Sequence, residues 1–166
     1  MFLIILIFLS GFFSSAESAF TTVNKIRLRT LSEDGNKNAA RAEKILRKYS
    51  KMLSTILIGN NIVNISASAL ATTTAIRIWG SMSVSIVTGV LTLLILLFGE
   101  IIPKTWATMR SEHLALAYSR VIWALMIVLT PLVFLIDRIS HVIMRLFRVD
   151  TEHRGTQITE NEIKTY

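Results

Sequence analysis

An apolar run at residues 84–107 constrains this chain most, because it can cross a bilayer as a helix yet carries Glu100 near its end. A carboxylate inside a membrane costs about 2.5–3.5 kcal/mol and normally faces a cavity or a partner. Pro103 follows three residues later. Proline removes a helical hydrogen bond and crowds the carbonyl four residues earlier, which belongs to Gly99. We therefore expect a bend at Pro103 and a free Gly99 carbonyl beside Glu100, in a polar cavity.

The composition of the 166-residue chain predicts an all-α integral membrane protein. It is 52% hydrophobic and only 17% charged, whereas soluble domains carry about 25% charged residues. The apolar runs are too long and continuous for the strands of a membrane barrel. The net charge of +7 is clustered, and in a membrane protein such clusters indicate topology and contact with anionic lipid rather than nucleic acid. The absence of cysteine excludes disulfides and thiolate metal sites.

Two further apolar runs, residues 2–22 and 52–79, predict three spanning helices in total. No basic residue precedes Lys25, so the first run fits a retained helix better than a cleaved signal peptide. Nine of the 18 Lys and Arg residues lie in the segment 22–51, which places that segment in the cytoplasm and the N-terminus outside. Turn residues at 33–36 predict two short amphipathic helices there, either lying on the inner leaflet or solvated.

The last apolar stretch, residues 121–136, is about 24 Å long as a helix and is interrupted by Pro131. Basic residues flank it on both sides, which favours a re-entrant hairpin turning near Pro131, with a fourth span as the alternative. With three spans, the membrane domain, residues 1–150, would end on the cytoplasmic side, and the C-terminus would lie in the cytoplasm. Residues 151–166 are polar and contain a capping box at 159–162, so we expect a cytoplasmic helical region that continues in a longer protein.

Polar side chains inside the spans predict a cation site. Ser14 and Ser18 share one helix face, and Asn60 and Asn64 share another, although helix packing alone would explain either pair. By helical rise, Ser14 lies about 16 Å from the outer end of its span, Asn60 about 12 Å from the inner end and Glu100 about 24 Å from the outer end. These depths bring the three side chains toward one level of the membrane, where they are expected to lie close together. The predicted ligands are the following oxygen-bearing residues: Ser14, Ser18, Asn60, Asn64, Gly99 through its carbonyl, and Glu100.

Oxygen ligands of this kind suit Mg²⁺, and no histidine lies within the three spans, which argues against zinc or copper. Glu17 is a second carboxylate in a span, and three roles stay open for it: reaching the headgroups, capping the site or binding a second ion. An enzyme is not expected. A serine hydrolase would need a base beside Ser14, and His113 and His141 lie at or beyond the cytoplasmic boundary.

A step of small residues in the second span, Ala67, Ala71 and Ala75, favours close approach to another helix, including one from a second copy of the chain. We therefore expect a homodimer formed through the second and third spans.

Three elements together resemble the transmembrane domain of the CNNM/CorC family of magnesium transporters: Phe-Ser-Ser-Ala-Glu-Ser-Ala at 13–19, the asparagine pair after Gly59, and Gly-Glu-Ile-Ile-Pro-Lys at 99–104. The resemblance covers residues 1–150. It implies a dimer, three spans with juxtamembrane helices and a magnesium site inside the membrane. It also implies a later cytoplasmic CBS-pair module, absent from this sequence, through which alone ATP would act.

The expected function is therefore transport of Mg²⁺ across the plasma membrane, in the direction of export. The alternative is a cation-sensing membrane protein that regulates another transporter.

Overall fold

The computed structural model describes residues 2–80 and 84–146, and every regular element in those ranges is a helix. The elements in chain order are α1 (Phe2–Thr22), α2 (Lys25–Glu33), α3 (Lys37–Leu46), α4 (Tyr49–Trp79), α5 (Val84–Leu94), a π-helical segment (Ile95–Ile101), α6 (Ile102–Met109), α7 (Ser111–Val128) and α8 (Thr130–Leu146). The predicted all-α membrane fold is confirmed. The chain divides into two compact units after Thr130, and helices α1 to α7 all belong to the first.

Three helical stretches are long and apolar enough to span a membrane: α1, α4, and the continuous stretch Val84–Met109, called the third span below. This agrees with the three predicted spans. Helix α4 begins at Tyr49, three residues before the predicted start, because the helical hydrogen bonds continue into polar sequence: the Met52 amide donates to the Lys48 carbonyl. Its 31 residues rise about 46 Å, so α4 is longer than the bilayer core of about 30 Å.

Helix α1 is the centre of the first unit, since it packs against α4, α6, α7 and the π-helical segment. Its C-terminal half contributes Phe13, Ala16 and Phe20 to the main hydrophobic cluster. A second cluster joins Ala19 of α1 to Ala107 of α6. The serines at positions 10, 14 and 15 of α1 are therefore buried between helices, whereas the polar residues from position 17 onward are partly or fully exposed.

The basic segment between α1 and α4 is the predicted pair of short helices. Asn24 and Asn36 cap α2 and α3, each accepting hydrogen bonds from two backbone amides. The apolar face of α3, formed by Ala39, Ala42 and Ile45, is fully buried, and α3 packs against α7. That face therefore contacts protein and not lipid, whereas Lys37 and Lys44 of the same helix are exposed. In the last turn, a hydrogen bond from Arg47 lowers the pKa of the Glu43 carboxyl below its usual value.

The third span changes its helical register just before Pro103. The turns before it are π-helical, and the Ile102 amide donates to the Leu97 carbonyl, five residues earlier. Pro103 then falls in the first turn of α6, where its fixed φ is compatible with the helix. The π-helical turn is therefore the local change observed next to the proline, and a bend there stays a prediction.

The alanine step of the second span lies at a helix contact, as predicted. Ala67, Ala71 and Ala75 are each at most 3% exposed within a single chain. Both α1 and α5 pack against α4. The small side chains thus permit close approach of helices in the same chain, and contact with a second copy stays a prediction.

The break predicted near Pro131 falls at Leu129, between α7 and α8. Ser111–Val128 and Thr130–Ser140 have the length and hydropathy of a membrane span only when they are taken together as a broken pair. A hairpin at this place stays a prediction. The capping box at 159–162 lies outside the described residues.

Candidate cation site between the three spans

A single buried hydroxyl joins all three spans. Ser10 of α1 is 1% exposed, and its Oγ lies 3.2 Å from Oδ1 of Asn60 on α4. The same Oγ lies 3.4 Å from the carbonyl oxygen of Gly99 in the π-helical segment. We call these three oxygens the Ser10 junction. Because a hydroxyl has one proton, only one of the two acceptors is satisfied by Ser10 at a time.

Two glycines make the close approach at this level possible. A Cβ at Gly99 would lie 2.9 Å from the Ser10 Oγ, so a side chain there would displace the serine. A Cβ at Gly59 would lie 2.4 Å from the ring of Phe13, which packs directly on the α4 backbone. These glycines allow backbone and side-chain oxygens of three helices to meet without intervening apolar atoms.

Ser14 lies one turn further along α1, on the same face as Ser10. Its Oγ is buried and has no hydrogen-bond partner. A buried hydroxyl without a partner costs about 1–3 kcal/mol, so an unexplained one calls for a ligand or a water. The adjacent Ser15 differs, because its Oγ lies 2.9 Å from the Phe12 carbonyl and 3.3 Å from the Tyr118 hydroxyl.

The two carboxylates of the spans meet at one lysine. Lys104 Nζ lies 3.1 Å from Oε2 of Glu17 on α1 and 3.5 Å from Oε1 of Glu100 on its own span. The three side chains are between 35% and 41% exposed. Glu100 therefore sits next to the Ser10 junction in sequence, but its carboxylate contacts the Lys104 ammonium. The contact observed for Glu17 is its pair with Lys104, and the three roles left open for Glu17 stay predictions.

Two predicted ligands lie away from the junction. Helices α1 and α4 run antiparallel, as shown by the contacts of Ser10 with Asn60 and of Lys25 with the Tyr49 ring. Asn64 is one turn, about 6 Å, from Asn60 on the same face of α4, and its buried Oδ1 has no partner. Side chains four residues apart on a helix can bind one ion, so Asn64 stays a candidate ligand. Ser18 is partly exposed and lies two turns, about 12 Å, from Ser10 along α1.

The structure thus places Ser10, Asn60 and the Gly99 carbonyl together, with Ser14 one turn away. Ser10 was missed in the sequence, although it begins the series Ser10, Ser14, Ser18 at four-residue steps. Ser14 and not Ser10 was predicted because depth was counted along each helix separately. Such a count does not include the axial offset between neighbouring helices. Within the described ranges, no three His, Cys, Asp or Glu side chains cluster closely enough to hold a metal. Any cation site here is therefore built mainly from neutral oxygens.

Comparison with known proteins identifies the family. A family model described as the Cyclin M transmembrane N-terminal domain, CNNM, matches residues 1–166. The chain belongs to the CNNM family. The resemblance predicted from three short motifs is thereby confirmed over the whole chain.

Relatives of this CNNM chain include the UPF0053 inner membrane protein YfjD of Escherichia coli, 42% identical over 144 residues, which cover 87% of this chain and 34% of the relative. A UPF0053 protein of Haemophilus influenzae is 42% identical over 163 residues, 98% of this chain and 39% of the relative. A third relative, also from Haemophilus influenzae, is named polyamine export protein and is 28% identical over 172 residues, 96% of this chain and 40% of the relative. The CNNM chain described here therefore spans less than half the length of these relatives.

Proposed function

We propose that this membrane protein carries a divalent cation, Mg²⁺, out across the plasma membrane through a site at the Ser10 junction. The observation that carries the proposal is the Ser14 hydroxyl, buried without a protein partner between the Ser10 junction and the Glu17–Lys104 pair. Membership of a family of transporter-like membrane proteins supports the same function.

The residues present fit the chemistry of this cargo. Mg²⁺ prefers six hard oxygens at about 2.0–2.1 Å and usually keeps some water. The Ser10 and Ser14 hydroxyls, the Asn60 amide oxygen and the Gly99 carbonyl are neutral donors of that type. Glu100, next in the chain after Gly99, would supply the negative charge that a dication needs in a poorly solvated place. The Asn64 amide oxygen, one turn from Asn60 and buried without a partner, is a further candidate ligand, whereas Ser18, two turns from Ser10, is better suited to lining the route to the site.

Two neighbouring serines give a matched test of the site. We expect Ser14→Ala to lower Mg²⁺ affinity about tenfold in titration calorimetry on the purified chain, because it removes an oxygen that has no structural partner. Ser15→Ala is the control: it is equally buried, but its hydroxyl is already engaged with Phe12 and Tyr118. Equal Mg²⁺ affinities for Ser14→Ala and the wild type would refute the site.

Export of a polyamine is a second candidate, and one observation favours it. Glu17 and Glu100, on two different spans, both contact the primary ammonium of Lys104, which shows the chemistry needed to hold an amine group. One relative is also named for polyamine export. A polyamine would place an ammonium where Lys104 now lies.

Calorimetry with spermidine and with Mg²⁺ on the same preparation separates the two cargoes. Magnesium transport predicts that Ser14→Ala weakens Mg²⁺ binding and that spermidine binds weakly or not at all. Polyamine export predicts the reverse dependence: spermidine binding that is lost in Glu17→Gln and unaffected by Ser14→Ala.

A further inference from the structure

Lys104 holds an unusual position for a charge inside a membrane span. Its ammonium contacts the two carboxylates of the spans, Glu17 at 3.1 Å and Glu100 at 3.5 Å. Two carboxylates and one ammonium leave this group with a net charge of −1. Because unpaired carboxylates are strongly disfavoured at membrane depth, the lysine serves as their counter-ion when no cargo is bound.

A dication at the Ser10 junction would need the same Glu100 oxygens. Glu100 directly follows Gly99, whose carbonyl belongs to the junction, and it is the carboxylate that Lys104 holds at the longer distance. Lysine has a flexible four-carbon stem and a point charge, so the ammonium can turn away from Glu100 while it stays on Glu17. Glu17 lies on a different helix and is not adjacent to the junction in the chain.

We propose that Lys104 is a tethered competitor of the transported cation at Glu100, and that Glu17 holds the lysine when the cation is bound. This inference rests on the proposed cation transport. It assigns a consequence to each residue: Lys104 weakens cargo binding and so permits release, and Glu17 strengthens cargo binding by drawing Lys104 away.

The test is a set of charge variants measured by Mg²⁺ calorimetry. Lys104→Gln removes the competitor, so Mg²⁺ affinity should rise about tenfold, and Lys104→Arg should restore the wild-type value. Glu17→Gln removes the alternative partner of the lysine, so affinity should fall several-fold. In the double variant Lys104→Gln/Glu17→Gln, the loss caused by the Glu17 change should disappear, because its effect acts through Lys104.

Arg110→Gln is the matched control, since it removes one positive charge at the cytoplasmic end of the same span, where Arg110 lies over the Trp106 ring and not beside Glu100. Its Mg²⁺ affinity should equal that of the wild type. Flux into liposomes adds a second readout: Lys104→Gln should lower both the KM and the maximal rate, because tighter binding slows release. If Lys104 had a purely structural role, Lys104→Gln would instead raise the KM.

Weaker or unchanged Mg²⁺ binding in Lys104→Gln overturns the inference. If that substitution unfolds the protein, Glu17→Gln decides alone, and unchanged affinity there overturns it as well. These failures are distinct from failure of the proposed function, which would appear as wild-type Mg²⁺ binding that does not depend on Ser14.

Discussion

Pro103 affects the backbone hydrogen bonds available to the nearby Gly99 carbonyl. Proline donates no hydrogen bond, and the Gly99 carbonyl lies 3.4 Å from the Ser10 hydroxyl within the junction. Pro103→Ala would introduce a backbone N–H close to that carbonyl without changing any charge. We expect Mg²⁺ affinity to fall several-fold in calorimetry, equivalent to about 1 kcal/mol for a competing hydrogen bond. Pro131→Ala, in α8, is the control and should bind as the wild type does; a Pro103→Ala variant with unchanged affinity would remove the carbonyl from the site.

The residue types of the site could be predicted from sequence, but not which of them meet. The sequence alone shows a carboxylate, serines and asparagines within apolar runs, and it shows the family motif around Gly99 and Glu100. The meeting of Ser10 with Asn60, and of Lys104 with Glu17, depends on the axial offset between helices. That offset is set by how Phe13 packs on Gly59 and by the π-helical turns, neither of which has a local spacing rule.

Between elements, α1 and α4 are held in register by Phe13 on Gly59. Gly59→Ala would place a methyl carbon 2.4 Å from the Phe13 ring, so the two helices would have to separate or the ring would have to turn. Such overpacking costs about 1–3 kcal/mol, and we expect a corresponding fall in thermal stability in detergent. Gly89→Ala in α5 is the control, because nothing lies within 4 Å of its added carbon. It should be neutral or slightly stabilising, since alanine favours the helix. Equal stability for the two variants would contradict the packing described.

The elements themselves follow closely from the sequence. Apolar length predicted the three spans, and the turn residues between Glu33 and Lys37 predicted the α2–α3 hairpin. One feature at this scale did not follow: the turns before Pro103 are π-helical, and no spacing in the sequence predicted them. The alanines of α4 are buried against their own chain, because a small-residue step specifies closeness and not the identity of the neighbour.

At the scale of the whole molecule, we expect the homodimer contact on a face of α4 other than the one that carries the alanine step. A groove of about 550 Å³ runs along exposed polar and small residues of this helix, including Ser68, Ala69 and Thr73. Hydroxyl groups on a span are better placed against protein than against lipid. We expect Ala69→Leu to reduce crosslinking between copies in mild detergent without lowering monomer stability. Ala71→Leu, on the buried face, should instead destabilise the fold; a chain that is monomeric in lipid would contradict the dimer.

Topology can be read from the same cysteine-free chain by labelling single cysteines in intact cells. The orientation predicted by the basic α2–α3 segment places Trp79 outside and Lys37 inside. Trp79→Cys should therefore react with an impermeant reagent, and Lys37→Cys should not. Gly155→Cys, beyond the described residues, reports on the stretch containing α8: no external labelling supports a re-entrant hairpin, and external labelling establishes a fourth span.

The most direct test of the account is Mg²⁺ flux into liposomes that contain only this protein, compared between the wild type and Glu100→Gln. The substitution keeps the side-chain shape and one oxygen ligand but removes the charge that balances a dication. We predict saturable flux for the wild type and a loss of at least about tenfold for Glu100→Gln, with both proteins folded. Flux no greater than that of empty liposomes, or equal flux in the two proteins, would contradict cation transport through this site.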